Sequence, residues 1–243
     1  MTGVSQGIGL ACATSMLAEG AHVAGTSRGA TPAIDGLTHL QLDMLEPDAG
    51  ERAVATTVER LGGLDILVNN VGGATIRTGF DDQSDDEWAE VLALNLTTAV
   101  RATRAALPHL IERGGVVVNI SSVNGIRPSP SIYAYSAAKA AMDNFTVGLS
   151  REFASRGVRV VGVAPGPVST PLWLGPAGAA ATIAAQQGSD AQSVVDEASA
   201  AIPVGRFTTA EEIGDLVAFL ASPRAGTITG TTIRVDGGST PTV

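Results

Sequence analysis

Two side chains separated by about one helical turn carry the most suggestive chemistry in the sequence. Tyr135 and Lys139 are four residues apart, so a helix places the phenol and the ammonium on one face. A neighbouring ammonium favours the phenolate, so a tyrosine that ordinarily titrates near ~10 can exchange protons at neutral pH. Ser122 follows the apolar run 116–120, which predicts a buried strand whose carboxyl end would present the hydroxyl to a ligand. The three residues together suit interconversion of carbonyl and alcohol groups.

Each of these residues also has a plain structural interpretation. The Tyr-x-x-x-Lys spacing is common in helices, and Ser122 could simply cap a turn. Tyr133 is a second candidate phenol, but it is six residues from Lys139 and lies off the face that Tyr135 shares with the lysine. We therefore favour Tyr135 as the reactive phenol.

A glycine-rich segment stands at the other end of the chain. Gly3, Gly7 and Gly9 precede an apolar, helix-favouring run over residues 10–18. Glycines at these positions let the backbone approach a pyrophosphate at a helix N-terminus, where free N–H groups and the helix dipole favour an anion. A plain tight turn would also explain the glycines, but residues 20–26 read as a second strand. This order predicts a mononucleotide-binding half.

These motifs occur together with the Asn-Asn-Val-Gly sequence at 69–72, Asn95 and the run 164–170. In this order they resemble the short-chain dehydrogenase/reductase family over nearly the whole chain. The resemblance implies a catalytic set of Asn95, Ser122, Tyr135 and Lys139. It also implies that a dinucleotide would contact Gly3, Ser5, Gln6, Gly7, Ile8, Gly9, Ser27, Arg28, Asp43, Met44, Asn70, Val71, Gly72, Tyr135, Lys139, Pro165, Gly166, Val168 and Thr170.

The resemblance further assigns roles to individual residues. Asn95 would bind a water that links Lys139 to solvent, although a mid-helix amide within a helix over 85–108 could equally bond locally. Asp43 would meet the adenine amino group with Met44 lining the ring, although Asp43 could instead cap the following turn. Thr170 would bond the nicotinamide carboxamide or a phosphate, beside Pro165 and Gly166, which would press on the ring.

The start of the chain departs from the family pattern. Only Met1 precedes Thr2, whereas the family's first strand belongs there and a strand needs roughly five or six residues. We therefore expect the central strand to be missing from this chain and the natural polypeptide to start earlier.

Strand-like runs near 21–27, 38–42, 64–69, 115–121, 158–164 and 231–235 alternate with longer helix-like stretches. This alternation predicts an α/β fold with a doubly wound parallel sheet, a Rossmann-type three-layer sandwich. The connection over 28–38 contains two glycines and a proline, so we expect a loop or a single turn there.

Composition favours a single domain over 1–243. The chain has 243 residues, of which 44% are hydrophobic, enough for a full core.

The net charge of −9 argues against nucleic acid as a partner. Cys12 is the only cysteine, expected as a small buried residue, and no run of about 18 apolar residues could span a membrane. With no such run and no charged-then-apolar signal segment at the start, we expect a cytoplasmic location. The three histidines are scattered without ligand spacing, so we expect no catalytic metal.

The end of the second strand bears on the choice of cofactor. Ser27 and Arg28 occupy the place where an acidic residue would favour NAD(H), and an arginine suits the additional phosphate of NADP(H). Gln6 argues the other way, because many NADP-preferring members carry a basic residue there, and Arg28 could be a surface charge. NADP(H) is favoured over NAD(H).

The sequence thus predicts an NADP(H)-dependent oxidoreductase that interconverts a carbonyl compound and a secondary alcohol, with Tyr135 as general acid/base. The small-molecule substrate would be covered by a lid near 171–202, which could instead be a surface helix pair or an oligomer contact. A 3-oxoacyl thioester reductase, a catalytically silent NADP-binding sensor or scaffold, and a sugar-nucleotide epimerase are the alternatives. The resemblance implies a homotetramer, or a dimer.

Overall fold

The computed structural model describes residues 1–31, 33–77 and 79–241. It confirms the α/β class, and each predicted strand lies within two residues of an observed one. The strands are β1 (Val23–Ser27), β2 (Leu37–Gln41), β3 (Ile66–Asn69), β4 (Val116–Ile120), β5 (Arg159–Pro165) and β6 (Thr231–Val235). Every paired strand runs parallel to its neighbour, as the alternating pattern predicted.

The helices lie between and after these strands. They are α1 (Gly7–Ala18), α2 (Ala49–Leu61), α3 (Asp85–Leu92), α4 (Thr98–Arg113), α5 (Tyr133–Phe153), α6 (Pro171–Leu174), α7 (Ala179–Gln187), α8 (Ala191–Ala200) and α9 (Ala210–Ala221). Between β1 and β2 no helix occurs among the described residues, which agrees with the loop predicted there.

The parallel strands form a two-stranded sheet, β1-β2, and a four-stranded sheet in the order β3-β4-β5-β6. Thr2 connects the two sheets at one point. It pairs in parallel with Thr26 of β1, and its backbone N–H donates to the Val68 carbonyl of β3 at 3.0 Å. Residues 1 and 2 therefore stand where the sequence predicted a central strand to be missing, and the strands on either side meet through them.

Both faces of the four-stranded sheet are covered by helices. β4 shows this most clearly, because Val116, Val118 and Ile120 join a core with α1 and α9, whereas Val117 joins a second core with α2 and α4. A strand buried on both faces is apolar at nearly every position, which explains the four apolar residues of β4. The exception is the buried Asn119, whose amide accepts a hydrogen bond from Asn69 and donates one to Thr146. Cys12 of α1 is fully buried in the first core, as predicted, and burial raises the pKa of its thiol to about 12.

The helical region before β4 differs from the prediction. A helix was expected over 85–108, but the chain forms α3, a π-helical segment over Ala93–Thr97, and then α4, which continues through Pro108 to Arg113. Pro108 leaves the carbonyl of Arg104 without its helical partner, and Arg104 is exposed to water. Solvent can therefore take the place of the missing N–H, so the proline does not end the helix.

The N-terminus of α9 provides a test of local stability. Thr209 and Glu212 form a reciprocal capping box, in which each side chain accepts a hydrogen bond from the other residue's backbone N–H. We expect Thr209→Ala to lower the free energy of unfolding by about 1 kcal/mol in chemical denaturation. Thr227→Ala, at an exposed threonine outside any helix or strand, is the matched control and should change stability little. Equal losses in both variants would contradict the role of the cap.

Candidate active site

The parallel arrangement gathers the predicted residues at one edge of the sheet. Asn70 follows β3, Ser122 lies two residues beyond β4, and Gly166 follows β5. The loop over residues 3–6 leads into α1 beside them, because Asn70 donates through Nδ2 to the carbonyls of Thr2 at 3.0 Å and Gly3 at 2.8 Å. The predicted catalytic and cofactor segments therefore share the carboxyl edge, where open α/β sheets bind ligands.

The glycine loop is compact enough to require its glycines. Gly3 and Gly7 have positive φ angles of 75° and 57°. A Cβ on Gly9 would lie 1.8 Å from the Gly3 carbonyl oxygen and 2.4 Å from Asn70 Nδ2, so a side chain there would displace the loop. These contacts hold the backbone of residues 3–9 close to the end of β3.

The N-terminus of α1 is open to an anionic ligand. Gln6, at the cap position, is exposed and makes no side-chain hydrogen bond to the first turn. Thr170 lies next to this turn, since a Cβ on Gly7 would be 3.3 Å from the Thr170 side chain. Free backbone N–H groups beside a close-packed glycine loop fit a dinucleotide pyrophosphate. The flanking predicted contacts, Ser5 and Ile8, are partly buried at the same turn.

The end of β1 contains hydroxyl, imidazole and guanidinium groups. Ser27 Oγ lies 2.7 Å from His39 Nε2 on β2 and donates to the Gly29 carbonyl at 2.6 Å. Gln41 Nε2 donates to the Arg28 carbonyl at 3.1 Å, while Arg28 itself is exposed. His39 was not among the predicted site residues, because only its pairing position across the sheet brings it to Ser27.

Asp43 and Met44 take positions that the sequence left open. Asp43 Oδ1 accepts a hydrogen bond from the Leu45 backbone N–H at 3.0 Å, which is the turn-capping role. The Met44 side chain is buried in the second core. Contact of either residue with an adenine ring stays a prediction.

Tyr135, Ser122 and Lys139 converge at the end of β4. Lys139 Nζ lies 5.5 Å from the centre of the Tyr135 ring and donates to the Ile120 carbonyl at 2.8 Å. Ser122 lies close enough to the Tyr135 phenol to lower the pKa of that phenol, and its Oγ accepts a hydrogen bond from the Asn124 backbone N–H at 3.2 Å. Ser122 therefore combines the turn-capping role with the predicted position beside the phenol.

Burial dominates the electrostatics of this group. It raises the pKa of the Tyr135 phenol above its ordinary value, and the Ser122 hydroxyl opposes the rise. Burial also lowers the pKa of Lys139 to about 8. The expected depression of the phenol's pKa by Lys139 is not found in this structure: burial raises that pKa, and the opposing effect comes from Ser122.

Asn95 lies in the π-helical segment, and its side chain is completely buried. Its Oδ1 accepts from the Gly73 N–H at 3.1 Å, while Nδ2 donates to the carbonyls of Gly73 and Val91, each at 2.9 Å. A Cβ on Gly72 would be 2.7 Å from Asn95 Oδ1 and 3.3 Å from Lys139 Nζ. Asn95 thus bonds locally within its helix and also approaches Lys139 across Gly72.

The remaining predicted residues line the same edge. Gly166 donates its N–H to the Val235 carbonyl at 2.9 Å, directly after Pro165 at the end of β5. Val168 is buried and forms a parallel bridge to Thr208. Val71 packs against the second core, and its N–H donates to Thr2 Oγ1 at 3.1 Å.

The second candidate phenol, Tyr133, has different surroundings from Tyr135. Tyr133 stacks edge-on against Phe80, with ring centres 5.6 Å apart, and lines a cavity of about 440 Å³ beside α5. Asn124 was not predicted, yet its Nδ2 donates to Ser122 Oγ at 3.3 Å. Its signal in the sequence is an amide two residues after a serine, a spacing typical of local turns.

Over residues 1–31, 33–77 and 79–241, no group of three or more His, Cys, Asp or Glu side chains is arranged to hold a metal ion. In the same part of the chain, no helix combines the length and the apolar character needed to cross a membrane.

Comparison with known proteins agrees with this geometry. A sequence profile described as Enoyl-(Acyl carrier protein) reductase matches residues 3–240. The chain belongs to the short-chain dehydrogenase/reductase family. As a member of that family it is an oxidoreductase that uses a nicotinamide dinucleotide, and the glycine loop described above fits such a cofactor.

Relatives of this dehydrogenase cover its whole length. The 3-oxoacyl-[acyl-carrier-protein] reductase of Vibrio cholerae is 36% identical, over 98% of this chain and 95% of the relative. The 3beta-hydroxysteroid dehydrogenase 1 of Eggerthella lenta is 34% identical, over 99% and 92%. The ligand-free aldohexose dehydrogenase of Thermoplasma acidophilum has a similar structure, with a TM-score of 0.90 and 29% identity over 100% of this chain and 93% of that one.

Gly72 provides a direct test of how Asn95 and Lys139 are brought together. We expect Gly72→Ala to reduce kcat/KM about tenfold or more, because its methyl group would push Asn95 away from Lys139. Gly73→Ala is the matched control, since a Cβ there would meet only Leu94 Cδ2, at 3.6 Å. Steady-state kinetics with melting temperatures would separate the two, and a Gly72→Ala enzyme of full activity would contradict the arrangement.

Proposed function

We propose that the protein is an NADP(H)-dependent oxidoreductase that interconverts a carbonyl compound and a secondary alcohol, with Tyr135 as general acid/base. One observation carries the proposal: Tyr135 lies close enough to Ser122 for that hydroxyl to lower the pKa of the phenol, and its ring faces the buried ammonium of Lys139 at the carboxyl edge of the sheet. A proton donor, a second oxygen-binding hydroxyl and a positive charge are the groups that carbonyl reduction needs.

The side chains act on the substrate oxygen. When bound, the nicotinamide supplies or accepts the hydride. In the direction of reduction, Ser122 donates a hydrogen bond to the carbonyl oxygen and Tyr135 gives it the proton. The raised pKa of Tyr135 keeps the phenol protonated at neutral pH, so the proton is available. The ammonium of Lys139 then stabilises the phenolate that remains.

A water bound by Asn95 would return a proton to Tyr135 by way of Lys139. Both hydrogens of its Nδ2 are already used by the Gly73 and Val91 carbonyls. A water would therefore bind to the free lone pair of Oδ1 or to a backbone carbonyl of the π-helical segment. Each of these groups is an acceptor, so such a water would donate to Asn95 and could accept from Lys139.

The choice of NADP(H) rests on the end of β1. Ser27 is paired with His39, and Arg28 is exposed beside it, so neutral and basic groups surround the place of the ribose 2′ position. An exposed guanidinium gives a 2′-phosphate two parallel hydrogen bonds and a compensating charge. The residues proposed to hold the rest of the cofactor are Gly3, Ser5, Gln6, Gly7, Ile8, Gly9, Asp43, Met44, Asn70, Val71, Gly72, Pro165, Gly166, Val168 and Thr170.

The segment over 171–202 is proposed as the substrate lid of a single domain. α6 is held by an edge-on contact between Trp173 and Phe207, with ring centres 5.0 Å apart, and α7 and α8 form a small apolar cluster of their own. Leu172 and Leu174 are each 49% exposed, which supports an apolar substrate beneath them.

A 3-oxoacyl thioester reductase is the second candidate. The 36% identity to the Vibrio cholerae 3-oxoacyl-[acyl-carrier-protein] reductase favours it. Measurement of kcat/KM for acetoacetyl-coenzyme A beside a panel of simple ketones distinguishes the two. A clear preference for the thioester would replace the general assignment.

We also propose an oligomer, a homotetramer or a dimer, located in the cytoplasm. Ala137, Ala140 and Val147 are exposed along one face of α5, and apolar side chains at helical spacing suit a contact with a second copy.

The two tyrosines make a matched pair for testing the mechanism. Tyr135→Phe should abolish turnover, because it removes the proton donor, while NADPH binding measured by calorimetry stays nearly unchanged. Tyr133→Phe should retain most activity, since that ring stacks on Phe80. Substantial turnover in Tyr135→Phe would refute the mechanism, and tight NADPH binding without turnover in the wild type would favour a sensor.

The cofactor preference can be tested on fragments of the dinucleotide. We expect Arg28→Gln to weaken binding of 2′,5′-ADP about tenfold and to leave 5′-AMP unaffected, because only the former has the additional phosphate. Arg151→Gln, on the last turn of α5, is the control. Equal affinities of the wild type for both fragments would contradict the NADP(H) assignment.

A further inference from the structure

Asp143 places a half-buried carboxyl group one helical turn after Lys139 on α5. Thr232 of β6 donates through Oγ1 to Asp143 Oδ1 at 3.0 Å. The other oxygen, Oδ2, is buried and has no hydrogen-bond partner among the described residues. A carboxylate oxygen in this condition is costly unless a positive charge compensates it.

This carboxylate lies where the turn after Ser122 contacts α5. Gly125 ends that turn, and a Cβ on Gly125 would be 2.7 Å from Asp143 Oδ2, 2.9 Å from the Lys139 carbonyl carbon and 3.0 Å from the Ala140 nitrogen. Ser121, the residue before Ser122, donates through Oγ to the Lys139 carbonyl at 3.3 Å. Asp143 therefore adjoins both the segment that carries Ser122 and the helix that carries Lys139.

The ammonium of Lys139 has no ion pair with a carboxylate in the part of the chain that the structure describes. Its side chain is 3% exposed, and Nζ donates to the neutral Ile120 carbonyl. The groups around it from the other elements, Asn95 and Gly72, are uncharged. Burial lowers the pKa of Lys139, and the attraction of Asp143 opposes that effect. Burial likewise raises the pKa of Asp143, against the opposing effects of Ser121, Thr232 and Lys139.

We propose that Asp143 is a positioning residue of the active site, whose half-buried carboxylate keeps Lys139 charged and holds the helix against the turn that follows Ser122. This role rests on the proposed function, because it matters to turnover only if Lys139 assists Tyr135. Arg234, the one charged residue of β6, lies two residues after Thr232 and so on the same face of that strand. Ser121 and Thr232 are the neutral hydroxyls that face the carboxylate.

The sequence allows a direct measurement, because Lys139 is the only lysine in the chain. Protein labelled with ¹³C at the lysine ε-carbon gives one lysine NMR signal, whose titration reports Lys139 without cofactor or substrate. We expect Asp143→Asn to lower the midpoint of that titration by roughly half a pH unit or more. Asp143→Ser serves as a second variant if the first does not fold, and should give the same direction.

Two controls separate charge from packing. Thr232→Val removes the hydrogen bond to Asp143 but keeps the carboxylate, so the midpoint of Lys139 should stay near the wild-type value. Asp143→Glu keeps the charge and should restore the midpoint at least in part. An unchanged midpoint in both Asp143→Asn and Asp143→Ser would overturn the proposal, as would an equal shift in Thr232→Val.

Turnover provides the link to the mechanism. The active form in reduction carries a neutral Tyr135 and a charged Lys139, so activity is lost as pH rises through their pKa values. In a plot of kcat/KM against pH, Asp143→Asn should therefore move the alkaline decline of activity to lower pH. If Tyr135→Phe is inactive but the alkaline decline does not move in Asp143→Asn, the proposed role of Asp143 is wrong while the proposed function stands. If Tyr135→Phe stays active, the proposed function fails, whatever the titration of Lys139 shows.

Discussion

The ammonium of Lys139 is the constraint around which the site is organised. A buried positive charge is unfavourable unless polar groups surround it, and here the Ile120 carbonyl, the face of the Tyr135 ring and the amide of Asn95 lie close to it. Each of these groups comes from a different segment of the chain. The charge can therefore be held in a dry place only when β4, α5 and the π-helical segment are all correctly packed.

The parallel sheet makes that packing possible. Its strands end at one edge, so the residues that follow them meet without long excursions of the chain. Close approach then depends on Gly9, Gly72 and Gly125, because a Cβ at any of these positions would collide with a neighbouring group. The same close packing that forms the glycine loop also brings the proposed catalytic side chains together, so stability of the fold and geometry of the site are linked.

The sequence predicted the strands, the helix of Tyr135 and Lys139, and the position of Ser122, because apolar runs and helical spacing report local structure directly. It did not predict the π-helical segment that holds Asn95, since one additional residue in a helical turn leaves no compositional signal. Nor did it indicate the roles of His39 and Asp143. Both acquire partners only through strand pairing and helix packing, contacts that join residues far apart in the chain.

The central claim is that one substrate oxygen is held between two hydroxyl groups beside the nicotinamide. A crystal structure of the protein with NADP⁺ and a bound secondary alcohol, chosen from those that it oxidises, tests this most directly. The account predicts that the alcohol oxygen lies within hydrogen-bonding distance of both Ser122 Oγ and the Tyr135 phenol, with Lys139 on the far side of the ring from solvent. An alcohol oxygen bound away from both hydroxyls, or against Tyr133 instead, would contradict it.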